Sequence, residues 1–223
     1  NGRPFLFQLL QDGLERPLVR YIRRGAPVDA ATAEGETALH VVAARPDGRI
    51  EGGGSMAAGE IEVTLVRFGK LPVDIRDRRG RSALHVAAEV GQTARAAALL
   101  DLGADPEART ADGRTPLLAA VEAGQGEMAD WLLDRGADAE ARLADGLGAL
   151  HLAAARDLAD LVERLLDGPP DAVASAGRPP RTPLQAAAET GAGEVLARLL
   201  ARGADPDRAA PGTAPPVLLA VQA

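Results

Sequence analysis

The sequence predicts an all-α solenoid of stacked antiparallel helix pairs, and two observations carry this prediction. The segment from Gly80 to Pro106 recurs, with substitutions, from Gly113 to Ala139, which lies 33 residues further along the chain. Each copy has the start and stop signals of a short helix, a tight turn and a second helix. Such a unit cannot bury its apolar face alone, so neighbouring units are expected to stack around a continuous core.

Three kinds of marker recur in phase along the chain. The position before each apolar run is occupied, at spacings of 45, 33, 33, 34 and 33 residues, by Thr37, Ser82, Thr115, Gly148, Thr182 and Pro215. The glycines expected before each turn are Gly25, Gly69, Gly103, Gly136, Gly168 and Gly203. Leucine pairs such as Leu132-Leu133 keep the same register, so the repetition is not accidental.

Within one unit, local chemistry predicts where each helix begins and ends. Thr115 is a good N-cap because its hydroxyl can accept a hydrogen bond from the first helical turn, and Pro116 fits the first helical position. About nine residues later a glycine ends the first helix, at Gly91, Gly124 and Gly191 in three of the units. Apolar residues then recur at helical spacing through Met128 and Leu132 until Gly136 ends the second helix.

The markers divide residues 1–223 into the repeats of a single domain. We expect a capping unit at 1–28, a repeat at 29–73 with a Gly-rich insertion at about 45–59, repeats at 74–106, 107–139, 140–172 and 173–206, and a partial repeat at 207–223. The stretch from Asp167 to Arg181 carries one extra residue and four prolines, so its loop is expected to be distorted. Gly148 should cap its helix less well than Thr.

The segments TALHVVA, SALHVAA, TPLLAAV, GALHLAA and TPLQAAA, each in phase with a later glycine and several followed by GADP or GADA, resemble ankyrin repeats. The resemblance covers nearly the whole chain apart from the insertion. It implies paired antiparallel helices linked by protruding hairpin fingers, and use as a protein-binding scaffold. It also implies that His40, His85 and His151, three residues after the cap positions, are structural residues that hydrogen-bond neighbouring loops.

Composition excludes several classes of function. The net charge is -7, with 25 Lys and Arg against 32 Asp and Glu, which argues against a general binder of nucleic acid or anionic membranes. No stretch has the roughly 20 apolar residues of a membrane span. We therefore expect a soluble monomer, with a cytoplasmic location favoured over export.

Catalytic chemistry lacks its usual participants. The chain has no Cys, and the three His occupy equivalent positions of different repeats. Carboxylate pairs recur with the repeat, which indicates turn residues, at Asp105 with Glu107, Asp138 with Glu140 and Asp205 with Asp207. We predict no catalytic residue, no cofactor and no metal site.

Several rows of equivalent positions on the predicted fingers and first helices are charged. A solenoid exposes such positions one above another, so Arg76, Arg109 and Arg142, 33 residues apart, should form a row. The residues predicted to bind a partner are Arg76, Arg78, Arg79, Arg81, Glu89, Arg109, Arg114, Glu122 and Arg142.

Two interpretations of these residues stay open. In one, the guanidinium groups hold an acidic stretch of a protein partner, because Arg can bind carboxylates bidentately. In the other, Arg and Glu neutralise each other on a solvated face, where each exposed pair contributes about 0–1 kcal/mol. Trp131, the single Trp, could anchor a partner, but packing on the outer helices is favoured.

The predicted function is a non-catalytic protein–protein interaction scaffold, either an adaptor or an inhibitor. It would bind a protein partner through the concave face and the finger tips. The alternative is a regulatory or targeting segment of a larger multidomain enzyme. That alternative is motivated by the final stretch PPVLLAVQA, which supplies one helix of a further pair.

Overall fold

A computed structural model describes residues 5–45, 59–166, 181–209, 212–216 and 219. The Gly-rich insertion and the proline-rich loop with Gly168 fall almost entirely outside these ranges, as does about half of the partial repeat. The described residues form two compact units that divide between Ala111 and Asp112. None of the described helices combines the length and the apolar composition that crossing a membrane requires.

The first unit contains three helix pairs. They are α1 (Phe5–Gln11) with α2 (Glu15–Arg23), α3 (Ala38–Ala43) with α4 (Glu60–Val63), and α5 (Ala83–Glu89) with α6 (Thr93–Asp101). Helix α4 continues directly as a π-helical segment, Thr64–Phe68. Within each pair we call the first helix the inner one and the second the outer one.

The second unit also contains three helix pairs. They are α7 (Pro116–Glu122) with α8 (Gly126–Asp134), α9 (Ala149–Ala155) with α10 (Ala159–Leu165), and α11 (Pro183–Thr190) with α12 (Gly193–Ala201). In place of β-strands, the described residues contain two isolated bridges, Ala31 with Thr37 and Arg142 with Gly148. The predicted all-α fold of repeated helix pairs is confirmed.

The predicted helix starts are confirmed at the hydroxyl residues. The Thr115 hydroxyl accepts from the Leu118 amide at 3.3 Å, and the Thr182 hydroxyl accepts from the Gln185 amide at 3.1 Å. Thr37 and Ser82 form reciprocal capping boxes with the His three residues later. Gly148 has no side chain with which to cap α9.

The turns between paired helices show the predicted left-handed glycines and one unexpected residue. Gly91, Gly124 and Gly191 have φ of +74°, +78° and +71°. The equivalent position before α10 is Asp157, at φ +55°. Its carboxylate accepts from the Val195 amide at 3.2 Å. The side chain of a residue with a strained backbone in one repeat therefore caps the outer helix of the next.

The core is built from small aliphatic residues, as the low aromatic content predicts. Ala87, Ala120 and Ala187 on the inner helices and Leu99 and Leu199 on the outer helices are inaccessible to solvent. Small side chains on the inner helices allow the backbones of adjacent helices to approach closely. Leu132 is buried in the same way, whereas Leu165 is half-buried.

Gly69 ends its outer helix, as expected, but unlike Gly103 it does not adopt the left-handed conformation. Gly69 has φ -75°, and the left-handed residue is Lys70 at φ +56°. The turn amide of Leu71 donates to Leu65 six residues back, whereas Ala104 donates to Leu99 five residues back. This repeat has one extra residue, and the helix absorbs it as a π-helical segment, in which each bond spans one more residue than in an α-helix.

A buried ion pair replaces apolar residues between α4 and α6. The Arg95 guanidinium contacts the Glu62 carboxylate at 2.8 Å and donates from Nε to the Arg45 carbonyl at 2.9 Å. The Glu62 side chain is fully buried. In the repeat at 107–139, the positions of Arg95 and Glu62 are occupied by buried Met128 and Ala129. Sequence analysis missed this pair, although two charges at apolar repeat positions were a readable signal.

The π-helical segment predicts an unusual response to shortening the chain. Deleting Lys70 should let Gly69 take the left-handed position and an ordinary α-helix form, raising the free energy of unfolding by about 1 kcal/mol because a strained non-glycine residue is removed. The matched control is deletion of Ala104, whose repeat has no residue to spare, and we expect that control to lose about 2 kcal/mol or more. Urea unfolding of both variants checks this. Equal destabilisation by the two deletions would contradict the assignment of the extra residue.

The buried pair predicts a non-additive pair of substitutions. Arg95→Met alone should lower the free energy of unfolding by about 3–5 kcal/mol, because it leaves the Glu62 carboxylate buried without a cation. Adding Glu62→Ala should recover most of that loss, since Met and Ala already fill these positions in a neighbouring repeat. Urea unfolding of the single and double variants measures the coupling. A double variant no more stable than Arg95→Met would show that the pair is not the source of the loss.

Candidate functional site

The hairpin fingers are tight turns that place two residues at each tip. In the finger at 77–81, the Asp77 amide donates to the Arg81 carbonyl and the Gly80 amide donates to the Asp77 carbonyl, both at 3.0 Å. Arg78 and Arg79 therefore lie at the tip. The same bonds in the fingers at 32–36 and 143–147 place Ala33-Glu34 and Ala144-Asp145 at their tips.

Consecutive fingers within a unit are joined through their backbones. The Arg78 amide donates to the Glu34 carbonyl at 3.0 Å in the first unit, and the Ala144 amide donates to the Asp112 carbonyl at 2.8 Å in the second. Gly35, at φ +79°, is required at this junction, because a Cβ there would come within 2.9 Å of the Arg78 nitrogen. The fingers are thus fixed in position before any partner binds.

In several repeats a single side chain connects the inner helix to the following finger. The Thr37 amide donates to His40 Nδ1 at 3.3 Å, and His40 Nε2 lies 2.9 Å from the Arg81 carbonyl. Because a carbonyl can only accept, the neutral ring carries its proton on Nε2. His151 makes the same contact with the Arg181 carbonyl at 3.1 Å. The structural role that the family resemblance implies is confirmed for these two histidines.

Gln185 takes the place of His in the repeat that contains α11. Its Oε1 accepts from the Thr182 amide at 2.9 Å, and its Nε2 donates to the Ala214 carbonyl at 2.7 Å. An amide side chain at this position therefore makes both connections without a titratable group.

We call the finger at 77–81 the basic finger. Its base is a cluster of charges around Arg81. Its guanidinium contacts Asp77 at 2.8 Å, Glu89 at 2.7 Å and Glu36 at 3.0 Å. The Asp77 side chain is fully buried. Burial alone would raise the pKa of Asp77, but hydrogen bonds from the Arg81 amide and guanidinium, with the Arg81 charge, lower the pKa below its ordinary value.

Most of the residues predicted to bind a partner are engaged with other groups of the same or a neighbouring repeat. The carboxylate that ends an inner helix pairs with the Arg before its cap, at 2.7 Å for Glu89 with Arg81 and at 2.9 Å for Glu122 with Arg114. Arg76 donates to the Gly80 and Arg109 carbonyls at 2.9 and 3.1 Å. Arg142 likewise donates to the Gly146 carbonyl and pairs with Glu140 at 3.5 Å.

Arg78 and Arg79 differ from the other predicted residues. Both side chains are exposed, and neither forms an ion pair or a side-chain hydrogen bond with the described residues. They are also unusual among the tips, because the corresponding sequence positions in three neighbouring repeats hold Ala followed by an acid: Ala33-Glu34, Ala111-Asp112 and Ala144-Asp145. This contrast was present in the sequence but becomes visible only when the tips are aligned.

Other candidate groups have local structural roles. The carboxylates of Asp105, Asp138 and Asp205 each accept at 2.9 Å from the amide two residues later, which confirms them as turn residues. Trp131 is half-buried, and the Arg135 guanidinium stacks over its ring at 3.6 Å. An open acidic groove of about 360 Å³ lies between α8, α10 and α12, but no described His, Asp and Glu side chains converge there or elsewhere as a metal site.

Comparison with known proteins agrees with the repeat pattern. A family model described as three copies of the ankyrin repeat matches residues 56–142, and a model of a single ankyrin repeat matches residues 181–210. No curated protein matches the chain. Among solved structures, the chain is similar to the ankyrin repeat domain of Bcl-3, described as a unique member of the IkappaB protein family. The two are 25% identical, with a TM-score of 0.73, over 98% of this chain and 94% of that one.

The histidine connection predicts a pH dependence of stability. Burial lowers the pKa of His40 below 6.5, and the hydrogen bond to Arg81 and the charges of Asp77 and Glu36 oppose this only in part. The neutral ring is thus favoured in the folded state, so its contribution is complete above pH 6.5 and is lost as the pH falls through the lowered pKa. The contribution of Asp77 to stability is lost only at lower pH, because its pKa lies below the ordinary value of 3.8.

His40→Gln should remove this dependence while keeping the hydrogen bonds, as Gln185 shows. We expect the urea midpoint of the unsubstituted protein to fall more between pH 7.5 and 5 than that of His40→Gln. Because the other histidines are common to both proteins, their titration cancels. Parallel pH profiles would contradict a neutral His40 in the folded state.

Proposed function

The chain belongs to the ankyrin-repeat family, and from that premise we propose that it is a non-catalytic scaffold that binds a protein partner through its finger tips and inner helices. Ankyrin repeats are in general protein–protein interaction modules, and the fold is typically non-catalytic. The observation that carries the finer proposal is the charge at one tip. Arg78 and Arg79 stand where the neighbouring repeats have Ala and an acid, in a chain with a net charge of -7.

The partner surface that fits this tip is acidic. Two adjacent exposed guanidinium groups can each hold a carboxylate through paired hydrogen bonds. Exposed ion pairs contribute about 0.2–1 kcal/mol each, so the tip would orient the partner and accelerate encounter more than it would supply affinity. The remaining affinity would come from contacts along the fingers and the inner helices.

The other predicted residues act in this proposal by holding the fingers. Arg76, Arg109 and Arg142 belong to the finger backbones, and Arg81 and Arg114 connect fingers to inner helices through Glu89 and Glu122. Arg81, Arg114 and Arg142 pair with carboxylates, and Arg76 donates to two finger carbonyls, so direct contact with a partner's carboxylates falls mainly to Arg78 and Arg79. A rigid row of fingers suits an adaptor or an inhibitor equally, because both must cover an existing surface without rearranging.

The test replaces the two arginines of the basic tip with the residues that other repeats have there. Arg78→Ala with Arg79→Asp reproduces a dipeptide found in two adjacent repeats, so the fold and the thermal midpoint should be unchanged. Proteins captured by the unsubstituted chain would be identified by mass spectrometry, and the affinity of each purified partner for both chains would then be measured. We expect at least a fivefold loss of affinity, growing as salt is lowered.

A control is Arg135→Ala, which removes an exposed Arg at the end of an outer helix, where it stacks on Trp131. This variant should bind as the unsubstituted chain does. Unchanged binding by the tip variant would exclude the basic tip from the interface, and equal losses in both variants would show that the loss is not specific to the tip.

A further inference from the structure

A second basic surface lies on the outer helices of the first unit, away from the fingers. Its members are exposed cations that form no ion pair and no side-chain hydrogen bond with the described residues. We call this surface the outer basic patch, and it consists of Arg16, Arg20, Arg23, Arg24, Arg67 and Lys70 around the exposed ring of Phe68.

Helical geometry and one direct contact assemble the patch. Arg16, Arg20 and Arg23 are spaced by four and three residues, so they lie on one face of α2, away from its buried residues Leu18 and Ile22. Helix α2 packs against the π-helical segment. The Arg23 guanidinium lies 5.2 Å from the centre of the Phe68 ring, which brings the two elements together at the surface.

On the outer helices of the second unit, three arginines pair with carboxylates of neighbouring helices. Arg164 contacts Asp130 and Asp134 of the preceding outer helix at 3.2 and 2.6 Å. Arg198 contacts Asp160 at 3.1 Å, and Arg202 pairs with Glu163. Cations at comparable places in the same chain are therefore neutralised by neighbouring carboxylates, whereas those of the outer basic patch are not.

The patch carries features that folding alone does not require. Like charges three and four residues apart destabilise a helix. Phe68 is 53% exposed, and Lys70 holds a strained left-handed conformation at φ +56°. Attraction to the carboxyl end of a helix accounts in part for Arg20 and Arg23, but it accounts neither for an exposed ring nor for a strained Lys.

We propose that the outer basic patch binds an acidic segment of a protein partner that carries one apolar side chain among its carboxylates. The stripe from Arg16 to Arg24 is about 12 Å long at the helical rise of 1.5 Å per residue, a length that about four extended residues cover. The apolar side chain packs on Phe68, and the carboxylates pair with the cations around it. This surface is independent of the finger tip and gives the scaffold a second attachment point.

Charge distribution favours a peptide segment over a membrane or a nucleic acid. The chain as a whole carries a net charge of -7, so a large anionic surface would meet repulsion from the rest of the molecule. A short segment interacts mainly with charges within a Debye length, which is about 8 Å at physiological ionic strength. The cations of the patch are therefore a larger influence on such a segment than the net charge of the whole chain.

The test exploits Lys70, the single Lys of the chain. A fluorescein-labelled peptide of about ten Glu residues with one central Leu is mixed with the full chain and treated with a carbodiimide, which couples carboxylates to amines. Mass spectrometry then locates the adduct. We expect coupling at Lys70, and a several-fold lower yield with the same peptide in 1 M NaCl, where the Debye length falls to about 3 Å. Equal yields at physiological salt and at 1 M salt would overturn the proposal.

Two variants with the same change in net charge separate the patch from the finger. Arg20→Gln with Arg23→Gln and Arg67→Gln removes three charges from the patch, and Arg78→Ala with Arg79→Asp lowers the charge by three at the tip. We expect the patch variant to lose at least fivefold in Lys70 coupling and at least tenfold in affinity by fluorescence anisotropy. The tip variant should keep Lys70 coupling within twofold. Phe68→Ser should weaken binding about threefold for the peptide with Leu and not for an all-Glu peptide.

Three outcomes would overturn the proposal. Equal loss in both charge variants would mean that net charge alone governs coupling. Vesicles containing about 30% phosphatidylserine that bind more tightly than the peptide, and release on patch substitution, would assign the surface to a membrane. Tighter binding of single-stranded oligothymidine with the same dependence would assign it to nucleic acid. A tip variant that keeps both its partners and its Lys70 coupling would contradict the finger proposal and leave this one intact.

Discussion

The connection that the rest of the structure depends on is a side chain with two hydrogen-bonding ends, placed three residues after the helix cap in several of the repeats. In His40 one ring nitrogen accepts from the amide at the start of its own helix, and the other donates to the carbonyl of Arg81 in the following finger. Gln185 achieves the same with an amide. Because each connection joins one repeat to the next, the helix start, the finger and the spacing of repeats are set together. Protonation or loss of this one group therefore acts on two repeats at once.

Fingers held in this way have little need of the charged side chains at their tips, which is why the tips can vary. Within the described residues, Arg81 and Arg114 satisfy carboxylates of their own repeats, and buried Asp77 shows how much of the basic finger serves its own fold. Arg78 and Arg79 are left outside that network. A similar separation recurs on the outer helices, where Arg164, Arg198 and Arg202 of the second unit pair with carboxylates, whereas Arg23 of the first unit lies over the exposed ring of Phe68. Surplus positive charge on an acidic chain is the property that both proposed binding surfaces share.

A repeat tolerates irregularity because its two ends are fixed and its middle can adjust. The one extra residue near Gly69 is accommodated in the outer helix, which becomes π-helical there. Lys70 adopts the left-handed conformation in place of Gly69. A charged pair, Glu62 with Arg95, likewise replaces apolar residues without changing the helix bounds. The first deviation places Lys70 at the surface, and the second places Glu62 in the core of the same outer helix. The outer basic patch begins where that helix ends.

The sequence by itself determined the helix pairs, the caps at Thr115 and Thr182, and the left-handed turns at Gly91 and its equivalents, because each depends on residues within one unit and recurs every 33 residues or so. It also indicated the basic finger. Tertiary structure alone decided which cations are neutralised, since Arg81 meets Glu36 from 45 residues away and Arg95 meets Glu62 from 33. It also decided that Lys70 and not Gly69 adopts the left-handed conformation. Local patterns report propensity, whereas charge pairing and register are settled by contacts between residues distant in the chain, where no single unit carries the information.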